Sequence, residues 1–341
     1  MLGLADRNLL TPLQGREARY RKYYERSPLG APILFLARED ASGKVVGMST
    51  LFPTRLRVFG DVVPAAIGGD FAVDDGHRGF GPSVALQRAS VNALAEEGLR
   101  CSFGYPNEFS EPIIKRVGWV DLGRLTRFVK VLRSRAVVDS YVGAPGLARV
   151  GGAVARVTAD PLLWLVSRER WARRSQDLRV ERPERFDERF SHLWESMWRE
   201  HSITSERNPE LLNWKYERGD GAGIYTIFAV VGGDDRVAGY VVYRVRNEIR
   251  HLVDIAFLPS PAVIDVLLAE LIRDSRRSGA TAITTLYLGS DNLLTRRLRS
   301  FGFVRRTDES GVRVYVPGDL QLERDLLEAR NWYFLTGDAD V

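Results

Sequence analysis

The stretch "DDGHRGFGPSVALQRA", residues 74–89, sets a glycine-flanked loop directly against the start of a helical run. Gly79 and Gly81 remove side chains, so the backbone can turn its N–H groups toward one point, and the dipole of the following helix adds about half a positive charge there. Such a loop either seats a phosphate or is only a tight turn. The familiar phosphate loops do not fit. A P-loop requires Gly-Lys-Ser/Thr after four spacer residues, and a Rossmann fingerprint requires a third glycine where Val84 stands.

Upstream of the loop the pattern is that of strands. Apolar runs at about 33–39, 45–57 and 62–73 are separated by Gly/Asp turns, and after the loop Leu86, Ala89, Ala93 and Leu94 recur at helical spacing. "CSFGY" (101–105) then reads as a short buried strand, "SEPIIKRVG" (110–118) as a short helix with Ser110 as N-cap, and 119–131 as a final strand. The same order returns later in the chain. "YERSPLGAPILFLAREDASGKVVG" (24–47) lies without a gap over "YERGDGAGIYTIFAVVGGDDRVAG" (216–239), "GGDFAV" (68–73) corresponds to "LVDIAF" (252–257), and "VGWV" (117–120) to "FGFV" (301–304). Strands are expected near 224–231, 236–246, 249–257 and 282–288, with Ile264, Leu267, Leu268 and Leu271 on one face of a helix between them. The fold class is α+β, a mixed α/β chain of two copies. The expected domains are 1–132, a basic helical connector 133–177, and 178–341.

One asymmetry stands out. A strand-like "LRVER" (178–182) and an amphipathic helix at about 187–200 precede the second copy, and the first copy has only about twenty residues in their place. Either the C-terminal segment or the partner copy must then complete the first sheet, or the chain is a shortened, inactive member.

With 341 residues, 45% hydrophobic and 10% aromatic, the chain has enough material for two packed cores. Its net charge of +5 is concentrated: nine arginines against four acids fall between Arg133 and Arg179. That marks a basic connector rather than the broad cationic surface of a nucleic-acid binder, so no nucleic-acid partner is expected. Within it Leu147, Val150, Val154 and Val157 form a helical stripe. The segment 147–174 could lie on an anionic membrane or pack its stripe on protein. Cys101 alone excludes a disulfide framework, and His77, His192, His201 and His251 lack metal-ligand spacing, so no metal is expected. The N-terminal apolar stretch is too short for a signal peptide and no run of apolar residues is long enough to span a bilayer, which fits a cytoplasmic protein.

The hairpin, the strand ending in "FAVDDGHRGFGPS", the helix, the strand ending in "YPN" and the short helix running into "GW" together resemble the GNAT acetyltransferase superfamily. The family's pyrophosphate loop, Arg/Gln-x-x-Gly-x-Gly/Ala, is matched here by Arg78-x-x-Gly81-x-Ser83, with serine in the last place. The whole chain is similar to tandem GNAT-like proteins among bacterial polysaccharide and cell-envelope acyltransferases. The resemblance implies a cosubstrate, acetyl-CoA or another acyl-CoA, with Arg78, Gly79, Phe80, Gly81, Pro82 and Ser83 around its pyrophosphate. The strand edge Asp70, Phe71, Ala72 and Val73 would pair with the pantetheine arm, and Asn107 would cap the channel. Asp70 and Tyr105 are the catalytic candidates, as proton acceptor and as general acid to the leaving thiolate. For Asp70 a structural role is the alternative, because Asp254 repeats it in a half whose loop, "FLPSPAVIDV" (257–266), has no glycine and carries Pro259 and Pro261. Tyr105 could equally be a packed strand-end tyrosine. Cys101 reads as a core thiol. The triplet in "GDADV" (337–341) resembles a metal-binding Asp-x-Asp without the fold to support it, and "NWYFLTGD" (331–338) is apolar enough to dock on the protein. The acceptor would be a small-molecule amine, an amino sugar or envelope precursor; the alternative is a non-catalytic tandem scaffold.

Overall fold

Alternating apolar residues and tight turns build the first half as a meander. In the computed structural model, which describes residues 16–78, 80–133, 167–170, 177–216 and 225–339, helix α1 (Arg16–Tyr20) runs into a π-helical turn (Arg21–Glu25). Strands β1 (Ile33–Arg38), β2 (Val45–Val58) and β3 (Asp61–Val73) follow, then α2 (Phe80–Glu96), β4 (Cys101–Gly104), α3 (Glu111–Arg116) and β5 (Val120–Val131). The second half begins with β6 (Leu178–Glu181), α4 (Arg189–Met197), β7 (Ile203–Ser205) and α5 (Pro209–Lys215). It then repeats the first: β8 (Tyr225–Gly232), β9 (Val237–Arg246), β10 (Ile249–Phe257), α6 (Pro261–Arg277), β11 (Ala282–Gly289), α7 (Leu293–Ser300) and β12 (Val304–Tyr315). Helix α8 (Leu320–Leu327), β13 (Trp332–Leu335) and a 3-10 turn (Thr336–Asp338) close the described chain. Of the basic connector only 133, 167–170 and 177 are among the described residues, and the stripe at 147–157 lies outside them.

The halves are not side by side as separate sheets. The last strand of each is inserted into the other: β4 pairs with β12, and β11 pairs with β5, while β5 and β12 pair with each other. The central order β2-β3-β4-β12-β5-β11-β10-β9 therefore reads the same from both ends in terms of repeat position. The strand missing from the first copy is not replaced in kind: β6 pairs with β8, whereas among the described residues β1, the counterpart of β8, pairs only with β2, and the later chain instead extends the first sheet at the far end of β2. β7 pairs with the far end of β2, and β13 bridges β7 to β11. These pairings close a ring of eight strands, β7-β2-β3-β4-β12-β5-β11-β13, which satisfies strand edges that would otherwise be exposed.

The ring has an apolar filling supplied by every strand in it. Phe52, Leu56, Val63, Ala65, Cys101, Phe103, Leu125, Ile203, Leu288, Val312, Trp332 and Phe334 are buried in one cluster, and the alternation along β2 and β3 puts every second residue inside. A second cluster lies under α4 and α6 in the second half, where Phe186, Phe190, Tyr240, Ile264, Leu267 and Leu271 pack together. Among the described residues no helix is long and apolar enough to cross a membrane.

Candidate active site

The site begins where two parallel strands part. β3 and β4 are paired only from Ala65↔Cys101 to Ile67↔Phe103, and beyond that point they diverge. Glycine makes the parting point. A Cβ on Gly104 would stand 3.3 Å from the carbonyl oxygen of Gly68, and one on Gly68 would stand 3.2 Å from the indole edge of Trp119. The wedge opens into a cavity of about 220 Å³ walled by both strands, by Gln87 of α2 and by Ile114 of α3.

On the β3 side the wall is broken by a bulge. The register jumps between Met48↔Ala72 and Thr50↔Gly69, so Asp70 and Phe71 face the single residue Ser49. Asp70 takes the left-handed conformation at φ 45°, unusual for any residue but glycine and tolerated best by Asn and Asp. Its carboxylate holds this shape by long-range bonds: Arg19 donates through Nη1 at 3.0 Å and Nη2 at 2.8 Å, and the Tyr24 hydroxyl donates at 2.8 Å. Burial and the charge of Asp70 push the Tyr24 hydroxyl well above its ordinary pKa, so it stays a donor. Behind the bulge the buried Ser49 hydroxyl accepts from Gln87 Nε2 at 3.0 Å and from Ser90 Oγ at 3.1 Å, which ties the strand to α2.

The glycine loop follows this strand. Asp75–His77 make one 3-10 turn, His77 Nε2 lies 3.0 Å from Glu39 Oε1, and Arg78 pairs with Asp75 at 2.7 Å while its Nε donates to the carbonyl of Val73 at 3.3 Å. Gly79 and the side chain of Phe80 lie outside the described residues. Gly81 is exposed at the first turn of α2, with open space where its Cβ would be, and Ser83 is buried beneath it. Pro82 has no N–H, so it can line a phosphate cradle but not donate to it.

Two candidates on the opposite wall have their own partners. Tyr105 lines the cavity, and its hydroxyl donates to the carbonyl of Thr336 at 3.5 Å, on the C-terminal turn. Asn107 also lines the cavity, but its Oδ1 accepts from the backbone N–H of Phe109 at 3.1 Å and of Ser110 at 2.9 Å. Ser110 is the N-cap of α3 by position, as expected, without a side-chain capping bond, while Asn107 folds the turn before it and keeps its place on the cavity wall. Asn292, at the same distance past a glycine that ends a strand, is itself the N-cap of α7 and accepts from Thr295 N at 3.2 Å. Cys101 is buried and burial pushes its thiol up to about 12, as befits a core residue. Among the described residues no group of three or more His, Cys, Asp or Glu could hold a metal ion.

The second half shows what the first leaves open. β10 and β11 part after His251↔Thr284 in the same way, but the turn Thr336–Asp338 enters and touches both strands. Asp254 accepts from Arg207 Nε at 3.1 Å and from Tyr240 at 3.0 Å, and Arg207 also reaches Asp338 at 2.8 Å. A Cβ on Gly337 would meet the carbonyl oxygen of Val253 at 2.9 Å, so the segment is pressed against β10. The apolar tail "NWYFLTGD" thus docks as expected. Several residues of the site escaped the sequence reading: Arg19, Tyr24, Ser49, Gln87 and the Gly68-Gly69 pair. Only the glycine pair carried a signal, since Gly-Gly inside an apolar strand marks a bulge or a close backbone approach.

A sheet that parts between two parallel strands, a bulge on one of them and an open helix start beyond it define a GNAT-like acyltransferase fold. Residues 10–120 match the acetyltransferase (GNAT) domain family. No curated protein matches the chain. Among solved structures it is similar to a probable N-acyltransferase from Enterococcus faecalis V583 at TM-score 0.64 and 16% identity, covering 92% of this chain and 68% of that one. A GCN5-related N-acetyltransferase from Anabaena variabilis gives TM-score 0.65 and 14% identity, covering 92% and 69%. N-myristoyltransferase of Saccharomyces cerevisiae with bound myristoyl-CoA gives TM-score 0.51 and 12% identity, covering 82% and 68%. Together the domain match and these neighbours show a GNAT-type N-acyltransferase fold over most of the chain.

Proposed function

We propose that this chain transfers an acyl group from acetyl-CoA or another acyl-CoA to the amine of a small-molecule acceptor, with the donor held by the first half alone. The observation that carries the reading is the contrast between two equivalent wedges: one is a cavity with an open helix start beside it, the other is filled by the chain's own C-terminal turn. In this reading the backbone from Arg78 to Ser83 holds the pyrophosphate, and the edge Phe71–Val73 pairs with the pantetheine arm. The bulge then aims backbone N–H groups at the thioester carbonyl, where the oxyanion develops.

The amine lone pair attacks that carbonyl carbon, the C–N bond forms and the C–S bond breaks. Tyr105 delivers a proton to the departing thiolate. The carboxylate of Asp70 is committed to Arg19 and Tyr24, so its role is to hold the bulge, and the ammonium proton leaves through water at the open mouth. The acceptor enters between the two halves, and an amino sugar or envelope precursor in the cytoplasm suits the resemblance to envelope acyltransferases. Release of free CoA thiol from acetyl-CoA across a panel of amines tests the reading, with Gly81→Glu as the blocked control. Amine-dependent release abolished by the substitution is expected. Tight acetyl-CoA binding with no release for any amine would instead favour a non-catalytic scaffold.

A further inference from the structure

The wedge has a floor as well as walls. Its apex, at Gly68 and Gly104, is covered by the indole of Trp119, which is 7% exposed and sits 3.2 Å from the point where a Gly68 Cβ would be. Trp119 is itself held in place: it packs with Ile114 of α3 and Val91 of α2, and its ring lies 6.3 Å from that of Tyr315 on β12. The apex therefore ends in a rigid ring backed by three elements, not in a channel continuing through the sheet. The cavity in front of it, about 220 Å³, falls below the roughly 300 Å³ at which pockets for drug-sized ligands begin. It must admit the thioester end of the pantetheine arm as well as the acyl group.

Resting on the donor site proposed above, we infer that Trp119 is the residue that sets acyl length, and that the donor is a short-chain acyl-CoA such as acetyl- or propionyl-CoA. A thioester held at the Asp70–Phe71 bulge points its acyl tail toward the apex, where the first few carbons meet the indole edge, Leu51 and Ile114. A longer chain has to displace a packed ring or leave its methylenes in water. In an apolar pocket each methylene that does not fit is worth about tenfold or more in discrimination.

Calorimetric titration of the full chain with free CoA, acetyl-CoA, hexanoyl-CoA and octanoyl-CoA tests this, repeated on Trp119→Ala and Ile114→Ala. The wild type is expected to bind acetyl-CoA at least about tenfold more tightly than octanoyl-CoA, and the variants to narrow or reverse that ratio while binding free CoA as the wild type does. Equal binding of acetyl- and octanoyl-CoA by the wild type overturns the length limit while leaving the donor site standing. A wild-type preference for acetyl-CoA that neither variant relaxes, in proteins whose near-UV spectra remain native, overturns the assignment to Trp119. Failure of the wild type to bind any thioester or free CoA overturns the donor site and the length limit together. The wild-type series decides the length limit even if a variant fails to fold.

Discussion

In the reading proposed above, Asp70 serves shape rather than proton transfer. A carboxylate in a bidentate pair with Arg19, 8% exposed at its side chain, is costly to neutralise because the guanidinium is left without its partner. Asp70→Asn is expected to destabilise the protein by about 2–3 kcal/mol in urea unfolding, with the charge of Arg19 left unmatched. A second residue carries a pH signature. His201 stacks on Tyr333 with ring centroids 4.1 Å apart, and burial, aided by the charge of Arg207, pushes its pKa down to about 4. The unfolded chain takes up this proton near pH 6.5 while the folded chain refuses it until about pH 4, so stability falls as the pH drops through that window. The loss amounts to about 2–3 kcal/mol by pH 4. In His201→Phe, which keeps the stacked ring, this part of the decline should disappear from unfolding curves taken at pH 7, 5.5 and 4. These partners were not legible in the sequence: nothing in the spacing of Arg19 and Asp70, or of His201 and Tyr333, announces that they meet.

At the scale of elements the C-terminal segment does two jobs. β13 closes the strand ring between β7 and β11, and the turn after it fills the second wedge. Arg207, only 2% exposed at its side chain, depends on Asp254 and Asp338 together. Asp338→Ala is expected to cost about 3–5 kcal/mol, because a buried cation loses half of its compensation, and a fall of that size in the urea midpoint at unchanged slope is the measurement. The strands and helices of the two repeats were legible nearly to the residue, because period-two alternation, Gly/Asp turns and helical apolar stripes are local signals, whereas the short β7 and β13 and the helices α1, α5 and α8 were not. β10 falls at 249–257 as expected, and β5 begins at Val120 where 119 was expected. The N-cap of α3 falls at Ser110 as expected, but that Asn107 would order the turn before it through its amide oxygen left no mark in the sequence.

For the whole molecule the exchange of β5 and β12 matters most. The repeat was plain in the sequence and suggested two separable copies, but strand pairing across halves is non-local and leaves no mark in either copy's pattern. Each half lacks a central strand without the other, so the account predicts a single cooperative thermal transition for the full chain. Two resolved calorimetric transitions would show that the halves fold apart. The loop at 78–83 was legible as a candidate site because its chemistry is local. Pro259 and Pro261 marked the corresponding segment of the second half as different, while the plugging of that wedge by the C-terminal turn left no mark in the sequence.

The most direct test of the central claim, that the first half alone holds the donor, is calorimetric titration with acetyl-CoA of the wild type, of Gly81→Glu, and of Ala262→Glu at the corresponding exposed turn of α6. The account predicts one molecule bound per chain, at about −8 kcal/mol for micromolar affinity, lost in Gly81→Glu and unchanged in Ala262→Glu. Binding that survives Gly81→Glu, or that is lost in Ala262→Glu, would contradict it.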